Sequence, residues 1–284
     1  MTERAVVFSC AAQPMVGIVH EAAVPSDTAV LIVVGGPQYR GGSHRQFVQL
    51  ARRLAAEGVA SMRFDVRGMG DSGGGQRGFD ALDDDIAAAL DTLQSQLPAV
   101  RRVVLWGLCD GASAALLYLE GRADPRITGL VVVNPWVRSE ATLARTHVKH
   151  YYRQRLMQRE FWGKLLKGGV ALRAASELGR NLVRALRPAP AAQAAAGAQA
   201  PFAERMATAW RGFSGPLLLI LSGNDYTARE FVEHATTSAG WRGLVSSPRV
   251  SRHDIEDADH TFSDPPSQKA MEAATVAWLQ RNFP

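Results

Sequence analysis

The segment Gly107-Leu108-Cys109-Asp110-Gly111 limits what this chain can fold into more than any other. It follows the apolar run Arg102-Val103-Val104-Leu105-Trp106 and opens Ala112-Ser113-Ala114-Ala115-Leu116-Leu117, which has the pattern of a helix. A strand, a tight turn and a helix therefore meet at a nucleophile. The spacing is G-x-S-x-G with sulfur in place of the hydroxyl. Its small residues let strand and helix approach closely while the central side chain is pushed outward. The unpaired N–H groups and positive dipole end of the helix favour thiolate over thiol, which would make Cys109 a nucleophile. The pentapeptide alone is equally compatible with Cys109 as a small buried apolar residue.

A nucleophile in such a turn needs a base and an orienting carboxylate, and the pattern places both later in the chain, acid first. Pro216-Leu217-Leu218-Leu219-Ile220-Leu221 reads as a buried strand, and Ser222-Gly223-Asn224-Asp225 ends it with Asp225 at its carboxyl edge. Asp257-Ala258-Asp259-His260-Thr261-Phe262 precedes a final amphipathic helix, which puts His260 in a loop at the same edge. Asp225 could instead be a turn-former. His253 is the rival base, and Asp257 and Asp259 are rival acids, but none of them ends a clear strand.

Two further loops belong to the same edge. Val30-Leu31-Ile32-Val33-Val34-Gly35-Gly36-Pro37-Gln38-Tyr39-Arg40 runs from a strand into glycines, where a loop can supply half of an oxyanion hole. One donor is expected from the Asp110 backbone N–H. Pro37 has no N–H, so the Gln38 backbone or a neighbouring glycine must provide the other. Arg40, His44 and Arg45 flank this loop and fit either an anionic substrate group or solvated surface charge. The second loop is Asp65-Val66-Arg67-Gly68-Met69-Gly70-Asp71-Ser72, in which Asp65 and Arg67 are expected to be structural, as an ion pair or a turn lock.

The remaining chain reads as one large α/β domain with an insertion. At 284 residues it can bury roughly three-quarters of its unfolded surface. Short apolar runs alternate with amphipathic stretches, which argues for a mostly parallel twisted sheet with helices on both faces. Strands are expected at 5–10 and 15–19 (a hairpin), 29–34, 59–64, 102–106, 128–133, 216–221 and 244–250. Helices are expected at 44–57, 79–96, 110–120, 204–211, 227–237 and 268–282. Asp83, Asp84 and Asp85 suit the positive end of the second helix as solvated capping charges.

About 80 residues separate the strand ending at Val133 from that starting at Pro216, too many for a plain crossover. The domain reading is a core of 1–137 and 213–284 and a helical, basic lid of 138–212 with an Ala/Pro-rich linker at 188–201. The aromatics of the lid, Tyr151 among them, with Trp136 just before it, could line a substrate pocket or pack a small core of their own. Twelve Lys or Arg and three Glu give residues 138–187 a charge of +9, so the rest of a chain with net charge +5 carries −4. Such a patch suits an anionic substrate, a membrane surface as a peripheral contact, or nucleic acid. The segment has no nucleic-acid-binding motif and interrupts an enzyme-like core, which argues against the last.

The two cysteines, Cys10 and Cys109, lie far apart with no metal-ligand spacing, and neither a metal nor another cofactor is implied. A reactive thiol fits a reducing compartment. With no signal-like start and no apolar run near the roughly 20 residues of a membrane span, the chain is expected to be cytoplasmic and without a transmembrane segment.

With these features in order, the whole chain resembles the α/β-hydrolase superfamily. Gly35-Gly36-Pro37-Gln38-Tyr39-Arg40, Arg63-Phe64-Asp65 with Arg67-Gly68-Met69-Gly70-Asp71-Ser72, Trp106-Gly107-Leu108-Cys109-Asp110, Asn134-Pro135-Trp136-Val137-Arg138-Ser139-Glu140 and Lys149-His150-Tyr151-Tyr152 resemble, more narrowly, the exosortase A system-associated hydrolase type 1 group. That resemblance implies an exopolysaccharide and protein-sorting context and names no substrate. Cysteine in place of serine is similar to dienelactone hydrolases, which use a Cys-His-Asp triad. The expectation is an acyl hydrolase in which Cys109 attacks an ester or thioester, free or carrier-bound. In it His260 is the base, Asp225 orients the imidazole, Asp110 and Gln38 hold the oxyanion, and Arg40, Trp136 and Tyr151 contact substrate. Acyl transfer to a sugar or protein acceptor and a non-catalytic scaffold of the same fold are the alternatives.

Overall fold

The computed structural model of the protein describes residues 2–24, 26–35, 38–138 and 200–284. Its contacts divide the chain into two units, Met1–Val137 with Pro201–Pro284, and Arg138–Ala200. Of the expected lid, residues 139–199, with Tyr151 and all but the end of the expected linker, lie outside the described residues.

The first unit is built on an eight-stranded sheet. Its strands are β1 (Thr2–Cys10), β2 (Gln13–Glu21), β3 (Thr28–Val33), β4 (Ala60–Phe64), β5 (Arg102–Leu108), β6 (Ile127–Val133), β7 (Leu217–Ser222) and β8 (Val250–Ile255). They lie in the order β1-β2-β4-β3-β5-β6-β7-β8. The first two pair as an antiparallel hairpin, β2 is antiparallel to β4, and every later pairing is parallel. The helices are α1 (Gln46–Ala56), α2 (Asp83–Gln96), α3 (Asp110–Gly121), α4 (Phe202–Gly212), α5 (Tyr226–Thr237) and α6 (Pro265–Asn282).

The central strands are apolar along their whole length because both of their faces are covered. Leu31, Val33, Val103, Leu105, Leu130, Val132, Leu217 and Leu219 pack on one side with side chains of α2, α3, α4 and α5. Their alternate neighbours Val30, Ile32, Val104, Trp106, Val131, Val133, Leu218 and Ile220 pack on the other with α1 and α6. This period-two division into two separate cores is what a doubly covered sheet requires.

Four expectations are corrected. The last strand lies at Val250–Ile255 and not at 244–250. Its sequence, Val-Ser-Arg-His-Asp-Ile, is polar and largely exposed because β8 is the sheet's edge, whereas Leu244 and Val245 sit in turns and pack against the core from outside. Residues 201–212, assigned from the sequence to the insertion, belong to the first unit. There α4 buries Met206 and Trp210, with Trp210 against Trp241 at a ring separation of 5.4 Å. Asp85 is not a solvated capping charge: it is fully buried and receives Arg67 Nη2 at 2.6 Å and Arg67 Nε at 3.0 Å. Asp65 and Arg67 therefore do not form an ion pair with each other, since Arg67 reaches α2 and Asp65 binds Arg40.

Among the described residues no helix is long and apolar enough to cross a membrane. Because Arg67 and Asp85 are both withdrawn from water, removing one partner strands the other. Asp85→Ala should lower the unfolding free energy by about 3–5 kcal/mol. Asp84→Ala, which removes an exposed pair with Arg122 and a long 3.9 Å pairing with Arg67, should cost less than about 1 kcal/mol. Urea denaturation of the two variants checks the contrast.

Candidate active site

Cys109 stands between the end of β5 and the start of α3 with φ 58° and ψ −123°, a conformation L-residues rarely adopt. The turn is held by its surroundings. The Cys109 N–H donates to the Val133 carbonyl at 2.9 Å, and the Cys109 carbonyl accepts from the N–H groups of Ala112 at 3.1 Å and Ser113 at 3.2 Å. A side chain at Gly107 would come within 2.5 Å of the Gly111 carbonyl and the Ala112 nitrogen, and one at Gly111 would overlap the Val33 carbonyl of β3. Glycine at both positions is thus a matter of contact distance between β3, β5 and α3.

Asp225 follows β7 as the N-cap of α5. Its Oδ1 accepts from Thr227 N–H at 3.0 Å and its Oδ2 from Ala228 N–H at 3.2 Å. The same Oδ2 accepts from His260 Nδ1 at 2.8 Å. Turn-former and histidine partner, the two readings of Asp225, are therefore one arrangement: the cap bonds fix the carboxylate and the free lone pair faces the ring. His260 lies in the loop between β8 and α6. That loop is stitched to the Asp225 loop by Gly223 N–H to the Ile255 carbonyl (2.9 Å) and Asn224 N–H to the Ala258 carbonyl (2.9 Å).

Bonding to Asp225, and then to the Cys109 side chain, pushes the His260 ring up to about 10 against the opposing effect of burial. The rival residues lie elsewhere. His253 is exposed on β8, Asp257 is exposed, and Asp259 is engaged by the N–H groups of Thr261 and Ser263 in its own turn.

Cys109 and His260 open onto a cavity of about 390 Å³, within the size range of small-molecule sites. Phe47, Phe79, Leu108 and Trp136 form its apolar walls, and Gln38 and Asp110 contribute polar edges. Of the residues expected to meet substrate or oxyanion, Trp136, Gln38 and Asp110 line this cavity. Arg40 is not: its guanidinium binds the buried Asp65 and also Asp71 at 2.7 Å, and it does not line the cavity. Two carboxylates already neutralise it, which corrects its assignment to substrate. His44 and Arg45 are exposed, and Gly36 and Pro37 lie outside the described residues.

Phe47 and Phe79 were missed in the sequence. Phe47 is recoverable only as part of the buried stripe of α1, and it stacks edge-on to Trp106 at 5.8 Å. Phe79 is braced by Phe202 of α4 at 5.1 Å, a partner 123 positions away. Among the described residues no group of three or more His, Cys, Asp or Glu side chains is arranged to hold a metal ion.

A raised histidine stabilises the fold most where it is protonated in the native state and neutral in the unfolded chain. Its contribution is complete below the unfolded value of about 6.5 and is lost as pH climbs through about 10. Asp225→Asn should remove much of it. The stability gap between wild type and variant, read by urea denaturation, should therefore be wide at pH 6 and narrow by pH 10, and the ring should titrate near 10 by NMR in the wild type alone.

A family model described as serine aminopeptidase, S33, matches residues 25–230. Among solved structures, an esterase from Pyrococcus furiosus is 17% identical over all of this chain and 94% of its own, with a TM-score of 0.63. An α/β hydrolase from Penicillium sp. sh18 is 14% identical over all of this chain and 99% of its own, with a TM-score of 0.64. A third, described as an α/β serine hydrolase without lid, comes from Xanthomonas campestris; it is 15% identical over all of this chain and 96% of its own, at a TM-score of 0.58. At these identities the likeness is one of fold. No curated protein matches. The matched family is named for a serine enzyme, whereas the residue at the turn here is cysteine. On the extent of the family match and the architecture, the chain belongs to the serine aminopeptidase S33 family of α/β hydrolases.

Proposed function

We propose that the protein is a thiol-dependent acyl hydrolase with Cys109 as nucleophile, His260 as acid and base and Asp225 as the residue that orients the ring. One observation carries this reading: an imidazole bonded at 2.8 Å to a capped carboxylate lines the same cavity as the turn cysteine, whose side chain helps to raise the ring's pKa. The sulfur attacks the acyl carbonyl, and the carbonyl π electrons move to oxygen. That oxyanion would be met by the Asp110 backbone N–H and a donor on the Gln38 side. As the intermediate collapses, the bond to the leaving group breaks and His260 delivers its proton to the departing atom. Neutral His260 then takes a proton from water, whose oxygen attacks the thioacyl carbon and releases the free acid and Cys109.

Phe47, Phe79, Leu108 and Trp136 suit an apolar acyl group. A thioester is favoured over an ester because a thiolate departs with less acid assistance than an alkoxide. The +9 charge of residues 138–187 supports a phosphate-bearing carrier as the departing half. Both cysteines are free thiols, in keeping with an intracellular, reducing setting. The sequence blocks that resemble the exosortase-associated group support a role in exopolysaccharide metabolism.

The test is turnover of p-nitrophenyl and CoA esters. Cys109→Ala should lose at least about 10³-fold in kcat/KM, and the wild type should show a mass adduct on Cys109 with slow acyl thioesters. Undiminished turnover in the variant would overturn the reading. Because an alkoxide leaving group takes its proton from His260, turnover of alkyl esters should fall on the alkaline side as the ring loses that proton near pH 10, with a smaller fall for p-nitrophenyl and CoA esters. Free acid as sole product in the presence of sugar or protein acceptors separates hydrolysis from acyl transfer.

A further inference from the structure

The turn that leaves β6, Asn134-Pro135-Trp136, touches the supports of all three proposed catalytic residues. Asn134 is fully buried and has φ 44°. That is the left-handed region, which Asn tolerates better than most residues but which is a strained conformation in front of proline. Its backbone N–H donates to the Ile220 carbonyl of β7 at 3.0 Å. Its side-chain Oδ1 accepts from the Ser222 N–H at 2.9 Å, which fixes the orientation of the amide, because a backbone N–H can only donate. Nδ2 is therefore the donor to Ser222 Oγ at 2.8 Å and to the His260 carbonyl at 3.3 Å.

Ser222 ends the strand that carries Asp225 three residues later, so one amide joins the strand of the acid to the backbone of the base. Two residues on, the Trp136 N–H donates to the Cys109 carbonyl at 3.3 Å, and the Ser113 hydroxyl holds the Trp136 carbonyl at 2.7 Å. The same short turn is thus bonded to the nucleophile's own peptide.

Resting on the hydrolase reading above, we infer that Asn134 is a positioning residue: its amide sets the distance between the His260 ring and both Asp225 and Cys109, and the strained backbone is retained for that bridge. Nδ2 reaches the His260 carbonyl directly, across 126 positions of sequence. Without Nδ2 the loop keeps its stitches at Gly223 and Asn224, which lie before His260, and loses the one at His260 itself. The acid and base would then approach each other less often, while the apolar walls of the cavity stay unchanged. Loss of alignment of this kind lowers the rate of the chemical step more than it weakens substrate binding.

The decisive variants are Asn134→Gly, which keeps access to the left-handed backbone and removes the amide, and Asn134→Asp, which keeps an acceptor for Ser222 N–H and removes the donor. Both should fold. Each should lower kcat roughly 10- to 100-fold with KM changed less than about threefold. Leu90→Ala, a core variant remote from the cavity, gives the comparison for lost stability alone, and should keep its kcat per folded molecule.

The readout that a purely structural role would leave unmoved is the titration of the His260 ring by NMR, where Cys109 and Asp225 are the titratable partners of the ring. In Asn134→Gly its midpoint should move from the wild-type position toward the unperturbed value of about 6.5. A wild-type kcat in both variants, or a loss no greater than that of Leu90→Ala with the His260 titration unmoved, would overturn the inference. Failure of the hydrolase reading is recognised separately, by Cys109→Ala turning over substrates as fast as wild type, and in that case the His260 titration still decides the role of Asn134.

Discussion

The approach of α3 to the ends of β3 and β5 is the constraint on which the site depends. The three backbones meet where a single Cβ at Gly107 or Gly111 would stand inside a neighbour's backbone. Only that packing forces Cys109 to φ 58°, and only at that angle does the chain reverse within one residue and leave its side chain above the sheet. A strained residue of this kind costs on the order of 1–3 kcal/mol and persists because its environment over-determines it. Here the environment is the pair of helix-starting N–H groups and the β6 carbonyl that hold the Cys109 peptide from both sides.

Once the turn is set, the sheet's parallel order does the rest. Strands β5, β6, β7 and β8 are consecutive neighbours and run the same way, so the loops that follow them open on one edge. Cys109, Asn134, Asp225 and His260 each follow one of these strands. Residues 109 and 260 meet because of topology, and no local sequence signal could bring them together. The electrostatics follow from this placement. The ring of His260 is flanked by two groups that favour its proton, and burial, which opposes the charge, is outweighed by the direct bonds.

The features legible in the sequence are those whose physics is local. The turn at 109 is announced by glycines that contact requires, and Asp225 by a strand that ends in Ser-Gly-Asn-Asp. The central strands are readable because burial on both faces makes them uniformly apolar. The final strand was displaced for the converse reason: an edge strand has little to bury, so Val-Ser-Arg-His-Asp-Ile carries almost no apolar signal, while the neighbouring turn with Leu244 and Val245 does. Partners distant in sequence were beyond reach. Nothing in the spacing tells Arg67 to bind Asp85 and not Asp65, since both carboxylates are in range and only the docking of α2 decides between them. Phe79 reads as an unremarkable residue before a helix until Phe202 is set against it.

The diversion of Arg40 gives a physical reason for the Asp65-containing motif. Asp65 is fully buried after β4, and its carboxylate binds the Arg40 guanidinium while accepting the Arg40 N–H at 2.5 Å and the Asp71 N–H at 2.9 Å. Gly70, at φ 53°, lies directly against it, where a side chain would displace the carboxylate. The motif is therefore a clamp that fastens the loop after β4 to the loop after β3. Gln38, at the cavity, is two residues upstream of the clamped Arg40, so the clamp limits how far that polar edge can move. It also removes a cation from the rim. With Arg40 neutralised by two carboxylates, the walls presented by Phe47, Phe79, Leu108 and Trp136 stay predominantly apolar, and charge near the cavity is concentrated at the His260 edge and at Asp110. An apolar surround of this kind strengthens hydrogen bonds within it relative to water, so the Asp225–His260 bond gains from a clamp that keeps another charge away.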